Sequence, residues 1–337
     1  MLKSEEIVTA SVHWHHRVGS QRDWVWRGWQ TRYTYMRTAQ PNTQLTPPVL
    51  LLHGFGTSIG HWRQNMASLG QHHTVYALDM LGFGASRKAH INYKVELWVE
   101  QVYDFWRTFI QQPVVLVGNS IGSLVCLAAA AAHPEMVQGI AMIGLPDMSA
   151  RQEAIPKWVQ PAIATVESIF ASPVILKTVF YLVRRPGVVR KWAAIAYSNP
   201  ATVSDELVDI LVAPAQDRGS AAAFAAILKA MIGADFGPSV KKLLPNLEIP
   251  ILLIWGRQDR MIPPSLYSQF IDLNPKLRLV DLDNAGHCAH DEHPEQVNQL
   301  LLDWIDGECM DKKDALSSPL DSVAQPASSS QIDTQDS

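Results

Sequence analysis

The chain has 337 residues, of which 47% are hydrophobic and 18% are charged, and its formal net charge is -4. This length and composition give one large domain or two ordinary ones with a sizeable buried core, and exclude a mostly disordered chain. The slightly acidic charge balance provides no positive field for a nucleic-acid backbone, so we expect no nucleic-acid partner.

The cysteines and the first residues indicate the compartment. Cys126, Cys288 and Cys309 are odd in number and far apart, which argues against a disulfide framework or a zinc site and implies a reducing compartment. The first ten residues carry acids and no long apolar run, so we identify no signal peptide. We therefore expect a cytoplasmic protein that is not secreted and is soluble or at most peripheral to a membrane.

The pattern of apolar runs predicts an α/β fold. After an N-terminal segment, residues 1–11, the tryptophan-rich stretch of residues 12–40 predicts an antiparallel hairpin. Apolar runs typical of strands in a parallel sheet follow at residues 49–52, 74–78, 114–117, 140–143, 251–255 and 277–282. Helical patterns lie between them, among others at residues 94–110, 121–133 and 264–273. This alternation predicts a doubly wound, mostly parallel sheet.

The alternation stops in the middle of the chain. Residues 146–242 read as several helices separated by prolines, with Trp158, Ile169, Phe170, Phe180 and Trp192 among their apolar residues. We predict a helical cap inserted between two parts of the core, residues 12–145 and 243–306. The tail, residues 307–337, has no aromatic residue and is expected to be disordered.

A G-x-S-x-G sequence predicts the nucleophile. Gly118, Asn119, Ser120, Ile121 and Gly122 come directly after an apolar run and directly before a helical pattern. A nucleophilic serine in this context lies on a strained strand-to-helix turn, where only small residues fit two positions before and two after it. We therefore predict Ser120 as the nucleophile, the alternative being a structural glycine turn.

A serine hydroxyl needs a base, and the base needs an acid to orient it. His287 follows the last apolar run, and Asp259 follows the run before it, so the chain order is Ser, Asp, His. Two alternatives stay open: Asp259 as a loop residue paired with a neighbouring arginine, and Asp147 as the orienting acid. We predict that Ser120, His287 and Asp259 form a catalytic triad.

Two backbone N–H groups are candidates for an oxyanion hole. One belongs to Ile121, at the start of the helix after the nucleophile, and the other to Phe55, in the glycine-flanked turn after the first buried strand. The predicted reaction needs no cofactor. Histidines at 287, 290 and 293 and at 13, 15 and 16 raise the question of a metal site, but Pro294 and the loop residues around it disfavour a rigid ligand set, so no metal is expected.

These motifs together resemble the α/β-hydrolase superfamily over roughly residues 30–306. The resemblance rests on HGFG at 53–56, LDMLGFGAS at 78–86, GNSIGS at 118–123, WGRQD at 255–259 and NAGH at 284–287. Within the superfamily, the tryptophan-rich hairpin together with HGFGTSIGHWR and LWVEQVYDF looks like the chlorophyll dephytylase and pheophytinase branch. Relatives that carry an aspartate at the nucleophile position, such as dehalogenases, are disfavoured by Ser120.

The resemblance implies hydrolysis of a small-molecule lipophilic ester, with the phytyl ester of a chlorophyll-type pigment as the substrate, beside an internal membrane of the thylakoid type. Lys177, Arg184, Arg185, Arg190 and Lys191, which lie between apolar segments of the cap, are expected to rest on an anionic membrane surface. Other activities on the same triad stay open: carbon–carbon bond hydrolysis, haloperoxidase-like chemistry and acyl transfer. A low-turnover ligand receptor is the alternative outside the enzymes.

Overall fold

The computed structural model describes residues 13–38, 46–147, 172–233 and 235–310. Within these ranges eight strands form one sheet in the order β1-β2-β4-β3-β5-β6-β7-β8. The strands are β1 Ser20–Trp26, β2 Trp29–Met36, β3 Val49–Leu52, β4 Val75–Leu78, β5 Val114–Asn119, β6 Val137–Ile143, β7 Ile251–Gly256 and β8 Leu277–Leu282. Each predicted apolar run lies on one of the strands from β3 to β8.

The sheet is mostly parallel, as the apolar runs predict. Strands β1 and β2 form the antiparallel hairpin, and β2 pairs antiparallel with β4. All other neighbouring strands are parallel. The chain passes from β3 to β4 on one side and then crosses to β5 on the other side of β3. The crevice at such a reversal of strand order, outside the carboxyl ends of the strands, is where open α/β sheets bind ligands.

Helices cover both faces of the sheet. The described α-helices are α1 Trp14–Arg17, α2 Met66–Leu69, α3 Val95–Phe105, α4 Ile121–Ala132, α5 Pro173–Val183, α6 Pro186–Ala196, α7 Asp205–Val212, α8 Ser220–Ile232, α9 Val240–Leu243, α10 Ala289–Glu292 and α11 Pro294–Trp304. Short 3₁₀ helices lie at Ile59–Trp62, Pro200–Thr202, Ala213–Gln216, Leu244–Asn246 and Pro264–Gln269, and π-helical turns at Trp106–Ile110 and Ile305–Cys309.

Successive residues of the central strands point into two separate cores. Leu50 and Leu52 of β3 belong to the core on one face, whereas Val49 and Leu51 belong to the core on the other face. Because side chains alternate along a strand, a strand covered on both faces is apolar at every position. All residues of β3, β5, β6 and β7 are buried, which explains the uninterrupted apolar runs.

Two segments differ from the sequence interpretation. The helical pattern at residues 264–273 forms only a 3₁₀ helix, Pro264–Gln269, and no regular α-helix follows it before β8. The expected tail begins later than residue 307, since the π-helical turn Ile305–Cys309 continues the last helix and buries Cys309. Residues 311–337 and the N-terminal residues 1–12 lie outside the described residues.

Five described α-helices lie between β6 and β7, and four of them, α5 to α8, lie wholly in the part of the chain predicted as a cap. Helix α5 packs against α8, and α6 packs against α7. Three of the predicted cap residues, Trp158, Ile169 and Phe170, lie outside the described residues. Across the described ranges, no helix is long and apolar enough to cross a membrane.

Candidate active site

Ser120 lies on a tight turn between β5 and α4. Its backbone has φ 55° and ψ -118°, a left-handed conformation that side chains other than glycine rarely adopt and that costs on the order of 1–3 kcal/mol. The Ser120 N–H donates to the Ile143 carbonyl of β6 at 2.9 Å, which ties the turn to the neighbouring strand. No described residue is hydrogen bonded to the Ser120 hydroxyl.

The two glycines of the motif are required by close approach of the backbone. A Cβ on Gly118 would lie 2.3 Å from the carbonyl carbon of Gly122. A Cβ on Gly122 would lie 2.2 Å from the carbonyl oxygen of Leu52 at the end of β3. Larger residues at either position would therefore push α4 away from the sheet. These distances supply the physical reason for small residues on both sides of Ser120.

The turn after β3 lies against the turn that carries Ser120. A Cβ on Gly54 would lie 2.8 Å from Asn119 Oδ1 and 3.4 Å from the Ser120 Cβ. The Phe55 N–H has no hydrogen-bond acceptor among the described residues. Ile121 is the first residue of α4, where a backbone N–H has no acceptor within the helix. Both predicted oxyanion donors are thus next to Ser120 or on the turn that touches it.

A buried network holds the Phe55 turn. The Met80 N–H donates to His53 Nε2 at 3.1 Å, so His53 Nδ1 carries the proton and donates to the Gly54 carbonyl at 2.8 Å. Burial lowers the pKa of His53 to about 4, which keeps the ring neutral. Asp79 accepts hydrogen bonds from the backbone of Ile59 and Ala85, each at 2.7 Å, and burial raises its pKa to about 6.

His287 and Asp259 form a direct pair. His287 Nδ1 lies 2.8 Å from Asp259 Oδ2, and both side chains are buried. The other oxygen, Asp259 Oδ1, accepts the backbone N–H groups of Met261 and Ile262, each at 2.8 Å. All hydrogen bonds of the carboxylate therefore fix its orientation toward the imidazole. This pairing favours Asp259 over Asp147 as the acid that contacts His287.

His287 lies over the carboxyl ends of β5 and β6. The Asn119 side-chain amide donates to the His287 carbonyl at 3.1 Å, so the residue before Ser120 holds the histidine backbone. Gly144, directly after β6, has φ 61°, and a Cβ there would lie 3.0 Å from the His287 ring. Only a glycine at this position leaves room for the imidazole. The structure thus brings His287 and Asp259 together above the strand that ends at Ser120.

Residues 194–199 of the cap, named here the cap strap, hold the loop that carries His287. The His287 N–H donates to the Ala196 carbonyl at 2.7 Å. The Glu292 carboxylate accepts from Ser198 N at 3.1 Å, Ser198 Oγ at 2.6 Å, Asn199 N at 2.8 Å and Gly286 N at 2.7 Å. Glu292 therefore fixes the cap strap and the residue before His287 at once.

The cap strap is also bound from the Asp259 loop and from the core. Arg260, next to Asp259, donates to the carbonyls of Ala194 and Tyr197. The Tyr197 hydroxyl donates to Asp291 at 2.6 Å, and Asp291 also pairs with Arg63 at 2.8 Å. Burial raises the pKa of Tyr197 well above its usual value, so the hydroxyl keeps its proton. The sequence alone does not reveal these residues, because no local motif marks contacts between residues 63 to 228 positions apart.

A small cavity of about 60 Å³ lies beside the Phe55 turn, against the cap helices. Its volume is smaller than the ~300–1,000 Å³ that is usual for small-molecule sites. Three aromatic rings of its wall, Phe55, Phe180 and Phe224, pack in series, with ring centroids 5.9 and 5.1 Å apart. The other lining residues are Gly56, Thr57, Gly82, Phe83, Gly84, Lys88, Leu211, Pro214, Ala215, Ser220 and Ile227.

Lys88 is the one cation among the described residues that line the cavity. Its ammonium group donates to the Gly84 carbonyl, to the Ser86 carbonyl at 2.9 Å and to Asp217 at 3.2 Å. Burial lowers its pKa. The Lys88 charge is therefore already used within the protein. Among residues 13–38, 46–147, 172–233 and 235–310, no group of three or more His, Cys, Asp or Glu side chains is arranged to hold a metal ion.

Comparisons with known proteins agree with this architecture. The family model described as the alpha/beta hydrolase fold matches residues 47–294. A bacterial membrane phospholipase A of known crystal structure superimposes with a TM-score of 0.69 at 25% identity, covering 87% of this chain and 88% of that one.

Two curated relatives are similar over most of this chain. The chloroplastic pheophytinase of Arabidopsis thaliana is 27% identical over 314 residues, which cover 77% of this chain and 61% of the relative. This chain thus spans about three fifths of that relative's length. The 2-hydroxy-6-oxo-6-(2'-aminophenyl)hexa-2,4-dienoic acid hydrolase of Metapseudomonas resinovorans is 26% identical, covering 82% of this chain and 88% of the relative. The chain belongs to the α/β-hydrolase fold family.

Proposed function

We propose that this protein cleaves the carboxylic ester bond of a lipophilic substrate through an acyl intermediate on Ser120. The observation that carries the proposal is the 2.8 Å contact between His287 Nδ1 and Asp259 Oδ2, placed over the strand that ends at Ser120. In the proposed role the Asp259 side chain accepts a hydrogen bond from the Nδ1–H group, which leaves Nε2 as the ring nitrogen that takes the serine proton. Such a pair is the base that a serine nucleophile needs.

The reaction proceeds in two acyl-transfer steps. His287 takes the proton of the Ser120 hydroxyl as Oγ attacks the ester carbonyl, and the N–H groups of Phe55 and Ile121 donate to the oxyanion that forms. The intermediate collapses, His287 gives the proton to the departing alcohol, and Ser120 carries the acyl group. His287 then takes a proton from water as the water oxygen attacks the acyl carbonyl. The bond to Ser120 Oγ breaks, His287 returns the proton to Oγ, and the carboxylic acid leaves. No cofactor takes part.

The cavity wall supports a neutral, apolar substrate. Three packed phenylalanine rings line the cavity next to one of the proposed oxyanion donors, and its one described cation, Lys88, is already bonded within the protein. A long hydrocarbon alcohol or acyl chain fits such a wall better than an ionised group does, because a buried charge needs a partner. The phytyl ester of a chlorophyll-type pigment is the substrate we favour, and the similarity to pheophytinase supports it.

A second candidate is hydrolysis of a carbon–carbon bond on the same triad. The similarity to the 2-hydroxy-6-oxo-dienoic acid hydrolase of Metapseudomonas resinovorans favours it. A substrate of that kind carries a carboxylate, which calls for an available cation or several N–H donors in the pocket. Because the Lys88 ammonium group is already hydrogen bonded within the protein, the cavity favours the lipophilic ester over this candidate.

The test presents the purified protein with chlorophyll, with its metal-free analogue and with nitrophenyl esters of increasing chain length. We expect phytol release from one of the pigments, a preference for long-chain esters, and fluorophosphonate labelling that Ser120→Ala abolishes. Turnover of short esters alone would remove the pigment assignment and leave the triad intact. An unlabelled Ser120 together with saturable binding of the pigment would instead identify a receptor.

A further inference from the structure

Helix α5 of the cap is apolar on nearly all sides, but only one stripe of it is buried. Leu176 and Phe180, four residues apart, face the protein, and Phe180 lines the cavity. The other large apolar residues of the helix remain exposed: Val174, Ile175, Val179, Tyr181 and Leu182. A helix that is hydrophobic all round is normally buried or lies against lipid. The outer face of α5 is therefore mostly apolar, with Lys177 and Thr178 as its exposed polar residues.

Helix α6 follows α5 after two arginines and repeats this pattern. Trp192 is 57% exposed, and Ile195 is exposed as well. Tryptophan is costly to leave in water because it carries a large apolar ring, and it is enriched where one end of a side chain is apolar and the other is wet. Two consecutive cap helices thus expose large apolar side chains, whereas singly scattered ones would need no explanation.

The charged residues of this segment are all positive. Residues 172–199 contain Lys177, Arg184, Arg185, Arg190 and Lys191 and no Asp or Glu, although the whole chain has a net charge of -4. Arg190 pairs with Asp205, and the Arg184 guanidinium lies 4.7 Å from the Tyr181 ring centroid. Lys177, Arg185 and Lys191 are exposed and have no acidic partner among the described residues.

We propose that the outer surface of α5 and α6, named here the cap surface, docks on an anionic lipid membrane. Exposed apolar residues beside lysines and arginines are the composition of helices that lie in a membrane interface, where the apolar residues enter the acyl boundary and the cations meet the headgroups. The proposal goes beyond the substrate assignment. It also places the lipid layer on the outer side of the helix whose inner side lines the cavity.

A lipid surface fits these residues better than a second copy of the chain does. Two copies joined through the same surface would bring Lys177, Arg185 and Lys191 against the same three cations of the other copy, and none of these has an acidic partner among the described residues. Like charges brought together in this way oppose association. An anionic bilayer supplies negative charge over its whole area. The sign of the charge, together with the exposed apolar residues, therefore selects the lipid.

The test is cosedimentation of Ser120→Ala protein with vesicles of phosphatidylcholine alone and of phosphatidylcholine with phosphatidylglycerol. The inert variant separates docking from turnover, so the result does not depend on the proposed function. We expect binding to the anionic vesicles that weakens as salt rises. Adding Lys177→Gln, Arg185→Gln and Lys191→Gln should weaken it about 100-fold, because each cation near an anionic surface contributes about fivefold.

Matched controls come from the rest of the surface. Arg107, Lys242 and Lys276 are exposed cations outside the cap helices, and their exchange to Gln should leave binding unchanged. Val174 is 73% exposed and Val25, on β1, is 70% exposed. Val174→Asp should weaken binding, and Val25→Asp should not.

A fluorescent label locates the docking surface directly. The native cysteines are all buried, so an introduced Val174→Cys or Val25→Cys is the accessible thiol for an environment-sensitive dye. We expect a blue shift on anionic vesicles for the dye at position 174 and none at position 25. Absence of vesicle binding, equal effects of the two sets of cation exchanges, or a dimer that Val174→Asp dissociates would overturn the proposal.

Discussion

At the scale of single residues, hydrogen bonds from neighbouring groups restrict the orientation of the side chains in the site. Asp259 has one oxygen held by two backbone N–H groups and the other facing His287. The histidine backbone is in turn held by the Asn119 amide and the Ala196 carbonyl. Because these contacts exist without a ligand, the imidazole and carboxylate need no rearrangement before reaction, which is the condition under which electrostatic stabilisation is most effective.

Exchanging the three proposed triad residues should have unequal effects. We expect Ser120→Ala and His287→Ala each to lower kcat by about 10⁴- to 10⁶-fold, and Asp259→Asn by about 10⁴-fold, since the residues act as one unit. Steady-state kinetics on a nitrophenyl ester measures this. Asp147→Asn serves as the comparison for the other candidate acid and should leave kcat near that of the parent. A larger loss from Asp147→Asn than from Asp259→Asn would reverse the assignment.

A local sequence motif identifies only those site residues that are constrained by their own neighbours in the sequence. Gly118, Ser120 and Gly122 form a motif because the turn crowds its own neighbours. Glu292 and Arg260 show no such signal, since their partners in the cap are far away in sequence. Only the folded chain reveals that they hold the loops of His287 and Asp259.

At the scale of elements, the close contact between α4 and the end of β3 sets the geometry of the nucleophile turn. Gly122→Ala would place a Cβ 2.2 Å from the Leu52 carbonyl oxygen, so the helix would have to move away from the strand that leads to Phe55. We expect a loss of several kcal/mol in the free energy of unfolding, as for other overpacked sites. The midpoint temperature of thermal unfolding and the rate of ester turnover should both decrease.

Gly187→Ala is the matched control for this exchange. Gly187 is also a helical glycine, in α6, but no atom lies within 4 Å of the position of its Cβ. Alanine is favoured over glycine inside a helix by about 0.5–1 kcal/mol, so stability should stay equal or increase slightly. Equal destabilisation by both exchanges would mean that the Leu52 contact does not limit the residue at position 122.

The cap strap makes a second prediction at this scale. Glu292→Gln keeps the size of the side chain but replaces one acceptor oxygen by a donor, so the cap strap and the loop before His287 lose part of their hydrogen bonds. We expect kcat to fall about 10- to 100-fold with a smaller change in KM, because small misplacement of a catalytic group carries such a penalty. Pre-steady-state acylation on a nitrophenyl ester measures the step concerned.

Glu295→Gln gives the comparison, since Glu295 is exposed and lies only three residues further along. It should leave kcat and KM unchanged. A Glu292→Gln enzyme with the parent's kcat would show that the cap strap does not position His287. Strands β3, β5, β6 and β7 were predictable because burial on both faces leaves an apolar run. The packing of the cap on the His287 loop instead rests on backbone carbonyls and carboxylates that have no periodic pattern.

At the scale of the whole molecule, buried titratable groups determine how the protein responds to acid. Burial lowers the pKa of His53 and of His61 to about 4 and that of His290 well below its usual value. In the unfolded chain a histidine takes up its proton near pH 6.5. As the pH falls from about 6.5 to about 4, the unfolded chain therefore binds up to three protons that the folded chain does not, and the free energy of unfolding decreases.

Asp79 acts in the opposite direction over part of this range. Burial raises its pKa to about 6, so the folded chain binds a proton there at a higher pH than the unfolded chain does, and this group favours folding as the pH falls from about 6 toward 4. Over these four side chains the net difference is about two protons. The free energy of unfolding should decrease by about 2–3 kcal/mol per pH unit at the steepest point, as measured by urea unfolding between pH 7 and pH 5.

His290→Leu removes one of the three histidines that take up a proton on unfolding. His290 is fully buried, with its ring 4.3 Å from the Trp62 ring and 4.5 Å from the His61 ring, so an aliphatic side chain of similar size suits its surroundings. Removing it should reduce the pH dependence of the free energy of unfolding by about 1.4 kcal/mol per pH unit. His72→Leu, at an exposed histidine, is the control. If His290→Leu kept the parent's slope, the ring would be protonated in the folded chain, and burial would not be what makes this fold sensitive to acid.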